Sequence, residues 1–126
     1  MSNRFTARLA EICPSFQKRA TQNDRGGEFV AENYQELKAK KFFSLGIPTD
    51  LGGGGATHAE LCEVIREMAH FCPSTALAYS MHTHLVATAV FRHLHGQPTA
   101  PLLKKIAAGE LVLVSTGAGD WLDSFG

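Results

Sequence analysis

Apolar residues recur at helical intervals from the start of this chain. Phe5, Leu9, Ile12 and Phe16 are spaced by four, three and four, which places them on one helix face. Pro14 falls inside that pattern, and its missing amide and bulky ring predict a kink or a split into two helices. Asn23 to Gly27 reads as a turn by composition. Residues 28–42 predict a second helix with Val30, Tyr34 and Leu37 as its buried stripe and Glu36–Lys40 as a favourable i,i+4 pair. Lys38, Lys40 and Lys41 suit its last turn, where cations meet the negative end of the helix dipole. Thr57-His58-Ala59-Glu60 has the form of a capping box, and Leu61, Val64, Ile65, Met68, Ala69 and Cys72 follow at helical spacing until Pro73. Residues 74–95 are apolar nearly all round, which predicts a central helix buried on several sides, with Leu85 and Val90 in the core. Gly96 and Pro98 end it. A short helix from about 101 to 108 closes at Gly109, and Leu111-Val112-Leu113-Val114 reads as a strand. One strand cannot satisfy its own backbone groups. The pattern therefore predicts an all-α domain over residues 1–109, with residues 110–126 as the beginning of a further, truncated unit.

Gly46 to Ala56, with glycine at 46 and at 52–55, interrupts the helices. The run allows positive φ angles, and Pro48 disfavours continuing a helix. Two readings stand: a tight turn between packed helices, or a loop that approaches a ligand closely. A phosphate loop is excluded, since no Gly-Lys-Ser/Thr follows, and the spaced dinucleotide pattern after a strand is absent.

The length corresponds to one domain. Twelve basic and twelve acidic residues cancel, which argues against a nucleic-acid surface or an anionic membrane surface. No stretch approaches the roughly 20 apolar residues that span a bilayer, and no signal-type run follows the first residues. Cys13, Cys62 and Cys72 have no framework spacing and are expected to be free thiols in a reducing cytoplasm.

The six histidines invite a metal reading that helix geometry opposes. Members of His82-x-His84 and His93-x-His95 point about 200° apart, and His82 and His93 lie roughly 16 Å apart along the axis. No closed ligand set results, so no metal site is expected, and these histidines read as surface or packing residues. Cys62 and Cys72 lie in an amphipathic pattern rather than a reactive setting. Val114 to Asp120, a strand end followed by hydroxyls, glycines and an acid, is either a turn or a ligand-contacting edge.

The order of these pieces resembles the N-terminal region of the acyl-CoA dehydrogenase superfamily. The resemblance rests on Asp24-Arg25, Leu37 to Gly46, Ile47-Pro48 with the glycine run, Glu60 to Phe71, Pro73 to Ala78, and Ala108-Gly109-Glu110 before an apolar run. It covers about residues 20 to 120. It implies an N-terminal helical domain that is followed, in the family, by a β domain and a C-terminal four-helix bundle, with FAD between those two. The family's "T-E-P-x-x-G-S-D" segment falls at Ser115 to Asp120, which implies flavin contacts from Ser115, Thr116 and Gly117. The Glu-Pro pair is absent, the segment is shorter, and Gly119 replaces the usual serine, a pattern closer to divergent flavoproteins of the superfamily. The helix from Ser74 would line an acyl channel, with Tyr79 and Thr83 near its inner end. The implied parent reaction is α,β-desaturation of an acyl-CoA thioester by a homo-oligomer, with the base supplied from the C-terminal part; no residue of this chain is expected to be catalytic. A flavin monooxygenase and a non-enzymatic helical interaction module remain the alternatives. The fragment alone is expected to be inactive and to bind FAD weakly or not at all.

Overall fold

Two capping boxes set where the outer helices begin. At the first, the Asn3 side chain accepts from the amides of Phe5 and Thr6, and Thr6 Oγ1 accepts from the Asn3 amide at 2.7 Å. This starts α1 (Arg4–Leu9), which a tight turn before Pro14 separates from α2 (Cys13–Gly26). The proline thus splits the helix, and Phe5, Leu9, Ile12 and Phe16 stay buried on one side of both pieces. The structure, a computed structural model, describes residues 3–26 and 31–114. α2 runs through Asn23 to Gly26, where composition predicts a turn. Residues with turn-forming composition are compatible with either state, and the helix simply continues.

α3 (Ala31–Ala39) buries Leu37, while Tyr34 is partly buried and Val30 lies outside the described residues. The expected Glu36–Lys40 pair does not form. Glu36 Oε1 accepts from Arg19 Nη2 of α2 at 2.8 Å, and Lys40 Nζ donates to Glu11 at 2.7 Å. Partners from neighbouring elements are within reach, and they take both side chains.

Two 3-10 turns, Phe42–Ser44 and Thr49–Leu51, carry the chain to α4 (His58–Phe71). Here the second capping box is closed by bonds of 3.0 and 3.1 Å between Thr57 and Glu60. α4 and α5 (Pro73–Leu94) are joined by Cys72 alone, whose extended φ of −155° turns the chain so that the two helices pack on each other. α6 (Ala100–Gly109) lies against the second half of α5.

Two clusters form the core. The larger one gathers α1 to α4, the first 3-10 turn and Tyr79, and the smaller one holds Ile47, Leu51, Val86, Ala89, Leu103 and Ile106. α5 therefore buries Val86 and Ala89, not Leu85 and Val90, which are only half-buried. Nor is it enclosed on several sides: Leu77 is 67% exposed, Phe91 61% and Leu94 70%. Its all-round apolarity does not reveal which face the neighbouring elements cover.

Among the described residues there is no β-strand. Leu111 to Val114 has no partner strand, so its residues form no ladder. These four residues leave α6 as irregular chain.

Candidate functional site

The glycine run is a folded turn whose amides are already engaged. The amides of Gly53, Gly54, Gly55 and Ala56 donate to the carbonyls of Pro48, Ser44, Ile47 and Leu45 at 2.8–3.1 Å. Residues 53–56 thus run back along 44–48, and no row of free amides is left for a ligand. Gly52 adopts φ +94°, a conformation that excludes most side chains. The packing-turn reading holds.

That turn forms one end of an apolar groove along α5. One section, of about 230 Å³, is lined by Gly46, Ala56, His58, Leu61, Ala87, Val90, Phe91 and Leu94. The adjoining section, of about 210 Å³, is lined by His58, Leu61, Cys62, Ile65, Ser80, Thr83, His84 and Ala87. The two share His58, Leu61 and Ala87. Gly46 is needed here, since a Cβ would lie 3.0 Å from Leu61 Cδ1 in the groove wall.

Of the residues expected near a channel, Thr83 lines the groove and Tyr79 does not. Thr83 Oγ1 donates to the Tyr79 carbonyl at 2.9 Å, which leaves its lone pairs available. Tyr79 is buried, and its hydroxyl donates to the Phe42 carbonyl at 2.6 Å. Burial pushes this phenol up from its ordinary value, so it stays protonated and structural. Ser115, Thr116 and Gly117 lie outside the described residues.

Behind the groove lies a polar cluster that periodicity does not show. His82 is 1% exposed; its Nε2 faces the Phe43 carbonyl at 2.7 Å, and its Nδ1 accepts the Leu113 amide at 2.9 Å. Phe43 meets the imidazole edge-on at 5.1 Å. Glu110 is 7% exposed, and its carboxylate oxygens make no well-formed hydrogen bond, Ser44 and the Phe43 backbone being the polar groups that act on it. Its only sequence signal is a lone acid between a helix end and an apolar run. Sequence reading ends α6 at Gly109, but Gly109 is the last helical residue and Glu110 takes the left-handed position at φ 48°. The Leu111 amide closes the turn on the Ile106 carbonyl at 3.2 Å, a position where glycine is usually preferred.

Glu110→Gly is therefore expected to stabilise the chain by about 1–2 kcal/mol at pH 7, by removing left-handed strain and an unpaired buried carboxylate. Burial raises the Glu110 carboxyl above its ordinary 4.5, against smaller opposing effects of Ser44, Phe43, Lys41 and Arg8. The native state thus holds this proton more tightly than the unfolded chain. The stability it contributes is full below pH 4.5 and lost as pH rises through the raised value. The gain in the glycine variant should consequently shrink in urea titrations repeated near pH 4.

The thiols differ sharply. Burial, aided by the nearby Glu67 charge, pushes Cys13 up to about 12. Cys72 is buried and accepts from Thr75 Oγ1 at 3.1 Å, whereas Cys62 is exposed at the groove, 3.7 Å from His58 Nε2. Among the described residues no three His, Cys, Asp or Glu side chains are placed to hold a metal ion, and no helix is long and apolar enough to cross a membrane.

Comparison with known proteins places this architecture. L-evernosamine nitrososynthase of Micromonospora sp. (strain ATCC 39149 / NRRL 15099 / SCC 1413) is 28% identical over 90% of the chain and 32% of its own length. YdbM of Bacillus subtilis (strain 168), provisionally named an acyl-CoA dehydrogenase, is 28% identical over 63% of the chain and 21% of its own length. The structure of methanesulfinate monooxygenase MsuC from Pseudomonas fluorescens superposes with a TM-score of 0.76 at 25% identity, over 93% of this chain and 30% of that one. The chain thus spans a third or less of the length of these relatives. Residues 7–110 match the family described as "Acyl-CoA dehydrogenase, N-terminal domain". This chain belongs to the acyl-CoA dehydrogenase N-terminal domain family.

Proposed function

We infer that this chain is the helical N-terminal part of a flavin-dependent oxidoreductase that oxygenates a small, largely apolar substrate. The observation that carries this reading is the groove between α4 and α5, with apolar walls and the hydroxyls of Thr83 and Ser80 on one side. Such a cleft binds an apolar body and orients it through few polar contacts. The oxygenating chemistry is supported by a monooxygenase and a nitrososynthase that align along 90% or more of the chain. The departures of Ser115 to Asp120 from the dehydrogenase segment agree with it. Desaturation of an acyl-CoA thioester is the second reading, favoured by the family match and by YdbM.

Flavin, the proposed cofactor, would supply the redox chemistry when bound. Among the described residues it meets no polar cradle, because the glycine-run amides and the Leu113 amide are engaged internally. The described residues alone do not fit the group, and no step is assigned through it. What they do is exclude water from the apolar part of the substrate and fix the wall that carries Thr83.

The test is ¹⁸O₂ labelling with a full-length protein carrying this chain. Product labelled with one ¹⁸O supports oxygenation. Unlabelled product with stoichiometric acceptor-dye reduction by acyl-CoA overturns it in favour of desaturation. The 126-residue chain alone is expected to show neither activity.

A further inference from the structure

We propose that His82 is a positioning residue that pins segment 111–114 to the helical layer, and that only its neutral imidazole can do so. The two hydrogen bonds define the tautomer. A carbonyl oxygen only accepts, so the nitrogen 2.7 Å from Phe43 O, Nε2, carries the hydrogen. A backbone amide only donates, so Nδ1, 2.9 Å from Leu113 N, is bare. A second proton would set N–H against N–H at Leu113 and break that bond.

The site is built for one state. The ring lies between Phe43, Tyr79 and the outgoing chain, with one nitrogen on the Phe43 carbonyl and the other on the Leu113 amide. Two titratable groups lie near it. Tyr79, on α5, keeps its hydroxyl on Phe42 O. Glu110, at the end of α6, is faced by Ser44 and Phe43 and by the charges of Lys41 and Arg8. The turn Phe42–Ser44 offers only a carbonyl and an aromatic ring. Burial lowers His82 below its ordinary 6.5, partly offset by the Phe43 carbonyl, which keeps the imidazole neutral at pH 7.

The consequence reaches past the described residues. Beyond Leu111, which closes α6, segment 111–114 has no ladder to hold it. Leu113 is two residues before Ser115 in sequence, and the pin is proposed to bear on the flavin contacts of Ser115 to Gly117. This part rests on the flavin-contact reading of those residues.

Amide hydrogen exchange and imidazole ¹⁵N shifts of the 126-residue chain test the pin. At about pH 7.5 the Leu113 amide should exchange at least about tenfold more slowly than a free amide, with His82 in the Nε2–H tautomer. That protection should fall as pH drops below His82's ordinary 6.5, while amides of α4 keep theirs. His82→Gln can keep the bond to Phe43 but has no acceptor at the Nδ1 position, so Leu113 protection should vanish. His82→Asn places Oδ1 near the Nδ1 position, so protection should persist and lose its pH dependence. If wild-type Leu113 exchanges as a free amide, or His82→Gln protects it as well as wild type, the pin is overturned. If the pin passes but His82→Gln leaves the flavin affinity of a full-length protein unchanged, the pin stands and the flavin reading of Ser115 to Gly117 falls.

Discussion

Gly53→Ala is expected to cost at least about 3 kcal/mol, a large fraction of the stability of a single domain. A Cβ at this position would lie 2.2 Å from the Ile47 carbonyl oxygen, 2.4 Å from its Cβ and 2.6 Å from its carbonyl carbon. These atoms cannot swing aside as the tip of a flexible side chain would. Relief requires pulling residues 53–56 away from 44–48, which breaks the amide bonds that close the turn and disturbs Ile47 in the smaller core. Gly96→Ala is the control. Its φ is +81°, but nothing lies within 4 Å of the added atom, so only left-handed strain of about 1 kcal/mol is expected. Urea midpoints of the two variants decide the matter. Equal shifts would mean that strain, not close approach, sets the need for glycine at 53.

Asn33→Leu should destabilise by about 2–4 kcal/mol, because it breaks a buried amide's hydrogen bonds on both sides. Asn33 is fully buried on α3. Its Nδ2 donates to Thr75 Oγ1 at 2.7 Å, and its Oδ1 accepts from Arg19 Nε at 2.9 Å. Thr75 in turn donates to Cys72 Sγ. One amide therefore ties α2 and α3 to the bend between α4 and α5. Leucine fills the volume but takes the amide donor from the buried Thr75 hydroxyl and the amide acceptor from Arg19, which keeps Glu36 and Glu32. Gln35→Leu on the exposed side of the same helix should shift the midpoint little, and a similar loss at both positions would sink the account.

These examples show what the sequence discloses and what it withholds. α4 was fully legible, because its capping box and apolar stripe are both local signals. The split at Pro14 and the turn at Gly96 were legible for the same reason. Asn33, His82 and Glu110 were not. A buried polar side chain gives no periodic signal, and its justification lies far along the chain: Thr75 for Asn33, Phe43 and Leu113 for His82. Composition could place six histidines but could not single out the buried one with both ring nitrogens engaged. Residues 111–114 show that β-leaning composition is only half of a strand, since the other half is a neighbour to pair with and the described residues offer none. Resemblance puts Tyr79 and Thr83 alike near the inner end of an acyl channel, but on the helix Thr83 faces the groove and Tyr79 turns into the core.

The single residue between α4 and α5 has a consequence for how chains of this architecture can change length. Cys72 ends one helix and caps the next, so there is no slack. One inserted residue there would turn α5 by about 100° about its axis and carry His82, Val86 and Ala89 off their buried face together. The exposed stretch from Gly96 to Pro98 has no such coupling, since Thr99 re-anchors the chain through its hydroxyl on the Ala89 carbonyl at 2.7 Å. Insertions and deletions are therefore expected to gather between α5 and α6 and to be excluded at the bend, where a single-residue indel changes the phase of a whole helix.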